Sequence, residues 1–128
     1  MGHIKKEKIK RINTIMLAIL HGSRATGHNH QDSDWDVAVL ADRPLTWYER
    51  SVLRRTFAAK LSVPDGSVDV ADLRSSSPLL RYRAAMHGRL IEGDPREFQR
   101  FQISAWKDYL NNHEMFDLRA QFLTKTLS

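Results

Sequence analysis

Between residues 34 and 40 polar and apolar side chains alternate: Trp35, Val37 and Val39 fall on one side, and Asp34, Asp36 and Ala38 on the other. A period of two belongs to a β-strand, in which successive side chains point to opposite faces. A strand here commits the chain to a sheet with an apolar face that must be covered. It also places two carboxylates on the same side of that sheet. Like charges this close repel, and a cation between them relieves the repulsion. Carboxylate oxygens are hard ligands that suit Mg²⁺, which keeps waters and substrate phosphates in its shell. The plainer alternative is the solvent-facing side of an edge strand, and the Asp-x-Asp pair taken alone favours it.

The rest of the chain supplies partners for that strand. Ile15-Met16-Leu17-Ala18-Ile19-Leu20 is a compact apolar run stopped by Gly22, as expected of a buried strand. Residues 67–73 carry Val68 and Val70 on one face and read as a third strand. Residues 4–13 read as a short charged helix, and residues 23–30 as a helix or loop with Gly27 as a turn point. Thr46 with Glu49 three residues on is a capping box, opening a helix to about Leu61 with Val52, Leu53, Phe57 and Leu61 facing inward. Pro64-Asp65-Gly66 is a turn. Ser77-Pro78 starts a further helix that Gly88 closes, and residues 89–92 form a short extended piece. Asp94-Pro95-Arg96-Glu97 opens a last helix carrying Phe98, Phe101, Trp106, Tyr109 and Phe116. The order helix, strand, helix, strand, helix, strand, helix, helix predicts a small mixed α/β (α+β) domain with one sheet.

The 128 residues fit one domain, with its core at about 12–93 and a helical segment at about 94–128. Hydrophobic residues make up 41% of the chain, enough for a packed core and too many for a disordered tail. The absence of cysteine excludes a disulfide scaffold and a thiolate zinc site. Lys5, Lys6, Lys8, Lys10 and Arg11 precede the 15–20 run as in a secretion signal. That run is short, however, and leads into His21-Gly22-Ser23-Arg24 rather than a small-residue cleavage site. No stretch is long enough to span a membrane. The expectation is a soluble cytoplasmic protein. The net charge of +5 can attract nucleic acid, nucleotides or an acidic partner, but the basic residues are dispersed, so no direct nucleic-acid contact is expected.

Two further features converge on the carboxylates. Gly22-Ser23 sits where a buried strand ends and a helix can begin. Glycine allows close approach of the backbone to a ligand, and N–H groups at a helix start favour phosphate. On the third strand Asp69 has parity opposite to Val68 and Val70, as Asp34 and Asp36 have to their apolar neighbours, whereas Asp72 shares parity with Val70. Asp69 is therefore preferred over Asp72 as a third ligand. Three carboxylates on adjacent strands suit two metal ions that clamp the attacking and leaving oxygens of a phosphoryl displacement.

Gly22-Ser23, ten residues, then Asp34-Trp35-Asp36 resembles the signature of polymerase-beta-type nucleotidyltransferases. Ser23-Arg24-Ala25, Ser33-Asp34-Trp35-Asp36-Val37-Ala38-Val39 and Val68-Asp69-Val70-Ala71-Asp72-Leu73 extend the likeness, which covers residues 15–92. The short chain is similar to the minimal nucleotidyltransferases. Ser77-Pro78-Leu79-Leu80-Arg81-Tyr82 and Gly88-Arg89-Leu90-Ile91-Glu92 look like the subgroup paired with HEPN-domain proteins in toxin–antitoxin modules. In those modules the HEPN protein is an RNase toxin, and the MntA-like partner is an antitoxin that transfers AMP from ATP to a toxin tyrosine. The resemblance implies the polymerase-beta nucleotidyltransferase fold, two Mg²⁺ ions and ATP as co-substrate. It implies Gly22 and Ser23 on the β- and γ-phosphates, Arg24 beside them, and Asp34, Asp36 and Asp69 as catalytic metal ligands. Asp69 would also help take the proton from the incoming hydroxyl. His21 departs from the aromatic residue common at its position and is read as packing rather than catalytic.

Three rivals remain in view. Nucleotidyl transfer to a small molecule generally needs an added domain for the acceptor. An antitoxin that acts by binding alone is disfavoured by the intact Ser23, Asp34, Asp36 and Asp69 set. Nucleic-acid binding rests only on the positive charge. The aromatic residues of the last helix can cover the domain's own sheet, as favoured for Phe98 and Phe101, or form a surface for the HEPN protein. For Trp106, Tyr109 and Phe116 the two stay open. His28, His30, His87 and His113 are scattered and read as loop or surface residues.

Overall fold

Three apolar strand patterns need a shared sheet, and the computed structural model provides one of four strands. It describes residues 15–27, 29 and 33–127; the expected helix at 4–13 lies outside them. In chain order the elements are β1 (Ile15–His21), α1 (Ser23–Thr26), β2 (Trp35–Ala41), α2 (Trp47–Leu61), a 3-10 turn (Asp65–Ser67), β3 (Val68–Asp72), α3 (Pro78–His87), β4 (Arg89–Gly93) and α4 (Pro95–Leu127). The piece at residues 89–92 is thus a full strand, absent from the order expected from sequence. It pairs antiparallel with β1 and completes a sheet of order β3-β2-β1-β4. β1 and β2 are antiparallel, while β2 and β3 are parallel and joined by the α2 crossover.

The central strands are covered on both faces. Leu17, Ala18 and Ile19 in β1 and Val37, Ala38 and Val39 in β2 are all fully buried. Alternation therefore sorts side chains between two cores rather than between core and water. Ala18, Val37, Val39, Val68 and Val70 pack with Leu53, Phe57 and Ala58 of α2. Leu17, Ile19, Ala38 and Leu73 pack with Ala84 and Ala85 of α3 and with Phe101 and Ala105 of α4, joined by Leu40, Leu90 and Phe98. Phe98 and Phe101 thus cover the chain's own sheet. Paired alanines let α3 lie close to the strands.

Helix ends are fixed by side chains. The Thr46 hydroxyl accepts from Glu49 N at 3.1 Å, and Glu49 Oε1 accepts from Thr46 N at 3.0 Å, closing the capping box. Arg43 grips the same buried carboxylate from both nitrogens, at 2.8 and 2.7 Å. At the start of α3 the Ser77 hydroxyl accepts from Leu80 N at 3.2 Å, with Pro78 at the first helical position.

Candidate active site

Antiparallel pairing brings the end of β1 beside the start of β2, with His21 opposite Asp36. Parallel pairing then sets Asp36 directly opposite Asp69. His21, Asp36 and Asp69 consequently form one row across three strands, on one face at one end of the sheet. Asp34 lies just ahead of β2 and is exposed; Asp36 is half-buried, and Asp69 is exposed on the edge strand.

Gly22 follows His21 with φ +75°, a conformation that side chains disfavour, and a Cβ there would collide with the Asp36 carboxylate. Glycine is what lets the turn out of β1 pass against that group. Ser23 opens α1 at half-burial. The helix is a single turn, so its dipole contributes little. What it offers a phosphate is the Ser23 N–H, which has no acceptor within the first helical turn, and the adjoining hydroxyl. Arg24 donates from Nε and Nη2 to the Ser33 carbonyl at 3.2 and 2.9 Å and lies 4.5 Å over the Trp35 ring. It fastens α1 to the segment that leads into Asp34.

The electrostatics of the row are those of crowded negative charge. Burial raises the Asp36 pKa, His21 opposes that, and the charges of Asp69 and Asp34 add to it. Burial lowers the His21 pKa against the pull of Asp36 and Asp69, and its Nε2 is buried without a hydrogen-bond partner. His21 is thus a packed imidazole whose charged form is disfavoured by burial. Oxygen donors, crowded carboxylates and a close backbone approach fit a divalent cation with phosphate. Among the described residues no three acidic or histidine side chains stand close enough to ligate one ion as placed. Asp34 and Asp69, both exposed, have the freedom to turn toward a cation shared with Asp36.

Asp72 stands apart from this row. It is buried and accepts from Leu45 N at 2.9 Å and Arg74 N at 3.1 Å, latching the loops that flank α2 and β3. Its work is structural.

Two cavities flank the row, and sequence reasoning assigned no role to most of their lining. One, of about 350 Å³, is lined by Gly22, Thr26, Leu79, Tyr82, Arg83, His87 and Tyr109. A signal that could have pointed to it is the spacing of Leu79, Tyr82 and Arg83 on one side of α3. The other, of about 170 Å³, lies along the sheet edge between Trp47, Arg50, Ser51, Arg54, Asp69 and Val70. Trp47 is 82% exposed there. On α4, Tyr109 stacks on Tyr82 at 4.0 Å, whereas Ile103, Trp106 and Leu110 leave an exposed apolar stripe. His87 is exposed; His28 and His30, and the side chains of His113 and Phe116, lie outside the described residues. No described helix is long and apolar enough to cross a membrane.

Comparison with known proteins bears on this arrangement. The family model described as polymerase beta, nucleotidyltransferase matches residues 4–97. The protein adenylyltransferase MntA of Shewanella oneidensis is 33% identical over 98 residues, covering 77% of this chain and 68% of that protein. The protein of the same name from Aphanizomenon flos-aquae is 29% identical over 104 residues, covering 73% and 68%. A solved toxin–antitoxin structure with AMP-PNP contains a chain 27% identical, with a TM-score of 0.69 and full coverage of both chains.

Proposed function

The chain belongs to the polymerase-beta nucleotidyltransferase family, and on that premise we propose that it is a Mg²⁺-dependent protein adenylyltransferase. It moves AMP from ATP to a tyrosine hydroxyl of a HEPN-family RNase toxin and so acts as that toxin's antitoxin. The observation that carries this reading is the register of the sheet. It sets Asp36 beside Asp69 at the strand end where Gly22-Ser23 turns away. Support for the donor and the partner comes from the MntA relatives, named as protein adenylyltransferases, and from the toxin–antitoxin structure with AMP-PNP.

The chemistry is an in-line displacement at the α-phosphorus. The acceptor oxygen forms the new P–O bond, the bond to the bridging oxygen breaks, and pyrophosphate leaves. Gly22 and the Ser23 N–H and hydroxyl hold the β- and γ-phosphates. Arg24 adds positive charge beside them while keeping α1 against the Asp34 segment. Asp34, Asp36 and Asp69 would hold two Mg²⁺ ions, and that metal would supply positive charge to neutralise the phosphates. Asp69, on the edge strand, takes the acceptor proton. The chain's own contribution is positioning and preset charge, which are the main sources of rate in phosphoryl transfer. Use of ATP and action on an RNase toxin support the reading of a protein that works in the cytoplasm.

The test is the intact mass of a HEPN-family protein from the source genome after incubation with this chain, ATP and Mg²⁺. A gain of one or more AMP units, absent with the Asp34→Ala/Asp36→Ala double variant, is expected. An unchanged mass together with a stable complex on a sizing column would replace transfer by an antitoxin that works through binding alone.

A further inference from the structure

We propose that the cavity along the β3 edge is a docking site for the acceptor protein, separate from the reacting groups, in which Arg54 and Arg50 take an Asp or Glu carboxylate of the acceptor. The inference rests on the transfer reading above for the identity of the acceptor, and adds how that acceptor is held.

Placement comes first. Val68 and Val70 lie beneath α2, packed with Leu53, Phe57 and Ala58. Asp69 has the opposite parity, so its side chain falls on the other face, in the row with Asp36. The cavity nevertheless brings Asp69 and Val70 together with Trp47, Arg50, Ser51 and Arg54 of α2. It therefore lies on the α2 side of the edge strand, while the carboxylate row lies on the opposite side. β3 is the outermost strand, so a protein surface laid along that edge reaches both sides at once. The crossover fixes the direction. α2 returns the chain from the end of β2 to the start of the parallel β3, so it runs against both strands. Trp47, Arg50, Ser51 and Arg54 follow at helical spacing on one face. Arg54 is thus nearest the catalytic end, and Trp47 stands about 10 Å further along the helix.

The lining then selects the ligand. Arg54 is exposed and, among the described residues, pairs with no carboxylate. Arg50 donates from Nη2 to the Val70 carbonyl at 2.7 Å, which holds its guanidinium in place and leaves further N–H groups to donate. That bond also occupies an edge carbonyl that an added β-strand would need, so side chains rather than backbone read the partner here. A guanidinium fork suits a carboxylate, and the chain uses the same pairing where Arg43 grips Glu49 with both nitrogens at the start of α2. Size decides between acidic partners. The cavity of about 170 Å³ is well below the roughly 300 Å³ of the smallest ligand pockets, so it holds one acidic side chain and not a nucleotide. Trp47, 82% exposed, offers apolar contact area to the same partner farther from the reacting groups.

Isothermal titration of the full chain with a HEPN-family protein from the source genome, in EDTA and without nucleotide, tests docking apart from chemistry. Arg54→Glu is expected to weaken Kd about tenfold. Among single Asp→Lys and Glu→Lys variants of the HEPN protein, one is expected to bind the Arg54→Glu chain more tightly than it binds wild type. Trp47→Ala is expected to weaken binding of every member of that panel alike. Both positions are exposed, so both variants are expected to melt with wild type, which separates lost docking from lost folding. Unchanged Kd in Arg54→Glu, or a loss that no member of the panel reverses, overturns the docking site. Polyuridylate RNA that binds wild type, weakens in Arg54→Glu and displaces no HEPN protein assigns the arginines to a phosphate backbone and overturns it as well. A wild-type chain that does not bind the HEPN protein overturns the site and the partner together. Binding and charge-swap rescue as expected, with no AMP gained by the HEPN protein when ATP and Mg²⁺ are added, overturn the transfer reading and leave the docking site standing.

Discussion

At Asp36 function and stability pull in opposite directions. Its pKa is raised by burial and then by Asp69 and Asp34, so the ionised form that a cation needs is disfavoured in the folded protein. For an acid with a raised folded pKa, stability falls as pH rises from the unfolded value through the folded one, and neutral pH lies on the costly side. Asp36→Asn is therefore expected to abolish AMP transfer and, in EDTA, to melt at a higher temperature than wild type at pH 7, with the gain vanishing near pH 3. A lower melting point at pH 7 would mean that the carboxylate has stabilising partners. Asp69 and Asp72 make the complementary pair. Asp69→Asn is expected to remove transfer at unchanged stability, because the side chain is exposed. Asp72→Asn is expected to retain transfer but lose about 1–3 kcal/mol, because a buried acceptor of two backbone N–H groups is altered. Chemical denaturation alongside the mass assay separates the two, and the reverse pattern would exchange their roles.

Among the elements, α2 and α4 show how much of a helix is set by its ends and how much by its packing. The Arg43 hydrogen bonds lower the Glu49 pKa to about 2, with burial opposing and Thr46 assisting. A depressed folded pKa contributes stability above the unfolded value, and that contribution is lost as pH falls. The stability advantage of wild type over Glu49→Gln should thus be full above about pH 4.5 and disappear toward pH 2. Thermal melts of both proteins across that range check it, and a constant difference would show that charge is irrelevant at the cap. On α4, Phe101 is 4% exposed and Trp106 47%. Phe101→Ala is expected to cost about 3–5 kcal/mol through the cavity it leaves, whereas Trp106→Ser should stay within about 0.5 kcal/mol of wild type. A large loss at Trp106 would show that the exposed stripe packs against something within the chain. The helix has 33 residues, so at 1.5 Å per residue it runs about 50 Å, roughly twice the length of a seven-residue strand.

Across the whole molecule, local pattern was legible and spatial adjacency was not. Parity along residues 34–40 and 67–73 located two strands and distinguished Asp69 from Asp72, because side-chain direction in a strand depends on nothing beyond the neighbouring residue. The capping box and Ser77-Pro78 marked helix starts for the same reason. The strand at Arg89–Gly93 was harder to see, since five residues with three left exposed take their pairing from β1 rather than from their own sequence. The larger cavity draws on elements from Gly22 to Tyr109, and the edge cavity needs α2 folded against β3, so neither can be read from local pattern. Their placement does, however, order the site across the sheet end: Gly22 and the larger cavity on the β1 side, Asp36 in the middle, and Asp69 with Trp47, Arg50 and Arg54 at the β3 edge. In-line displacement needs acceptor and pyrophosphate on opposite sides of the α-phosphorus, so with the β- and γ-phosphates at Gly22-Ser23 the acceptor is expected to approach past that edge. Arg50 is tied to the Val70 carbonyl at 2.7 Å, which leaves Trp47 and Arg54 as the side chains to vary without disturbing the strand. Arg54→Glu is expected to raise the KM for the HEPN acceptor about tenfold, to weaken its dependence on salt, and to leave the KM for ATP unchanged. Trp47→Ala should raise the acceptor KM with no change in salt dependence, since it removes contact area and no charge. Steady-state transfer measured at two ionic strengths decides between outcomes. An unchanged acceptor KM in both variants would move the acceptor's path away from the β3 edge, and a raised KM for ATP would mean that the edge arginines serve the donor.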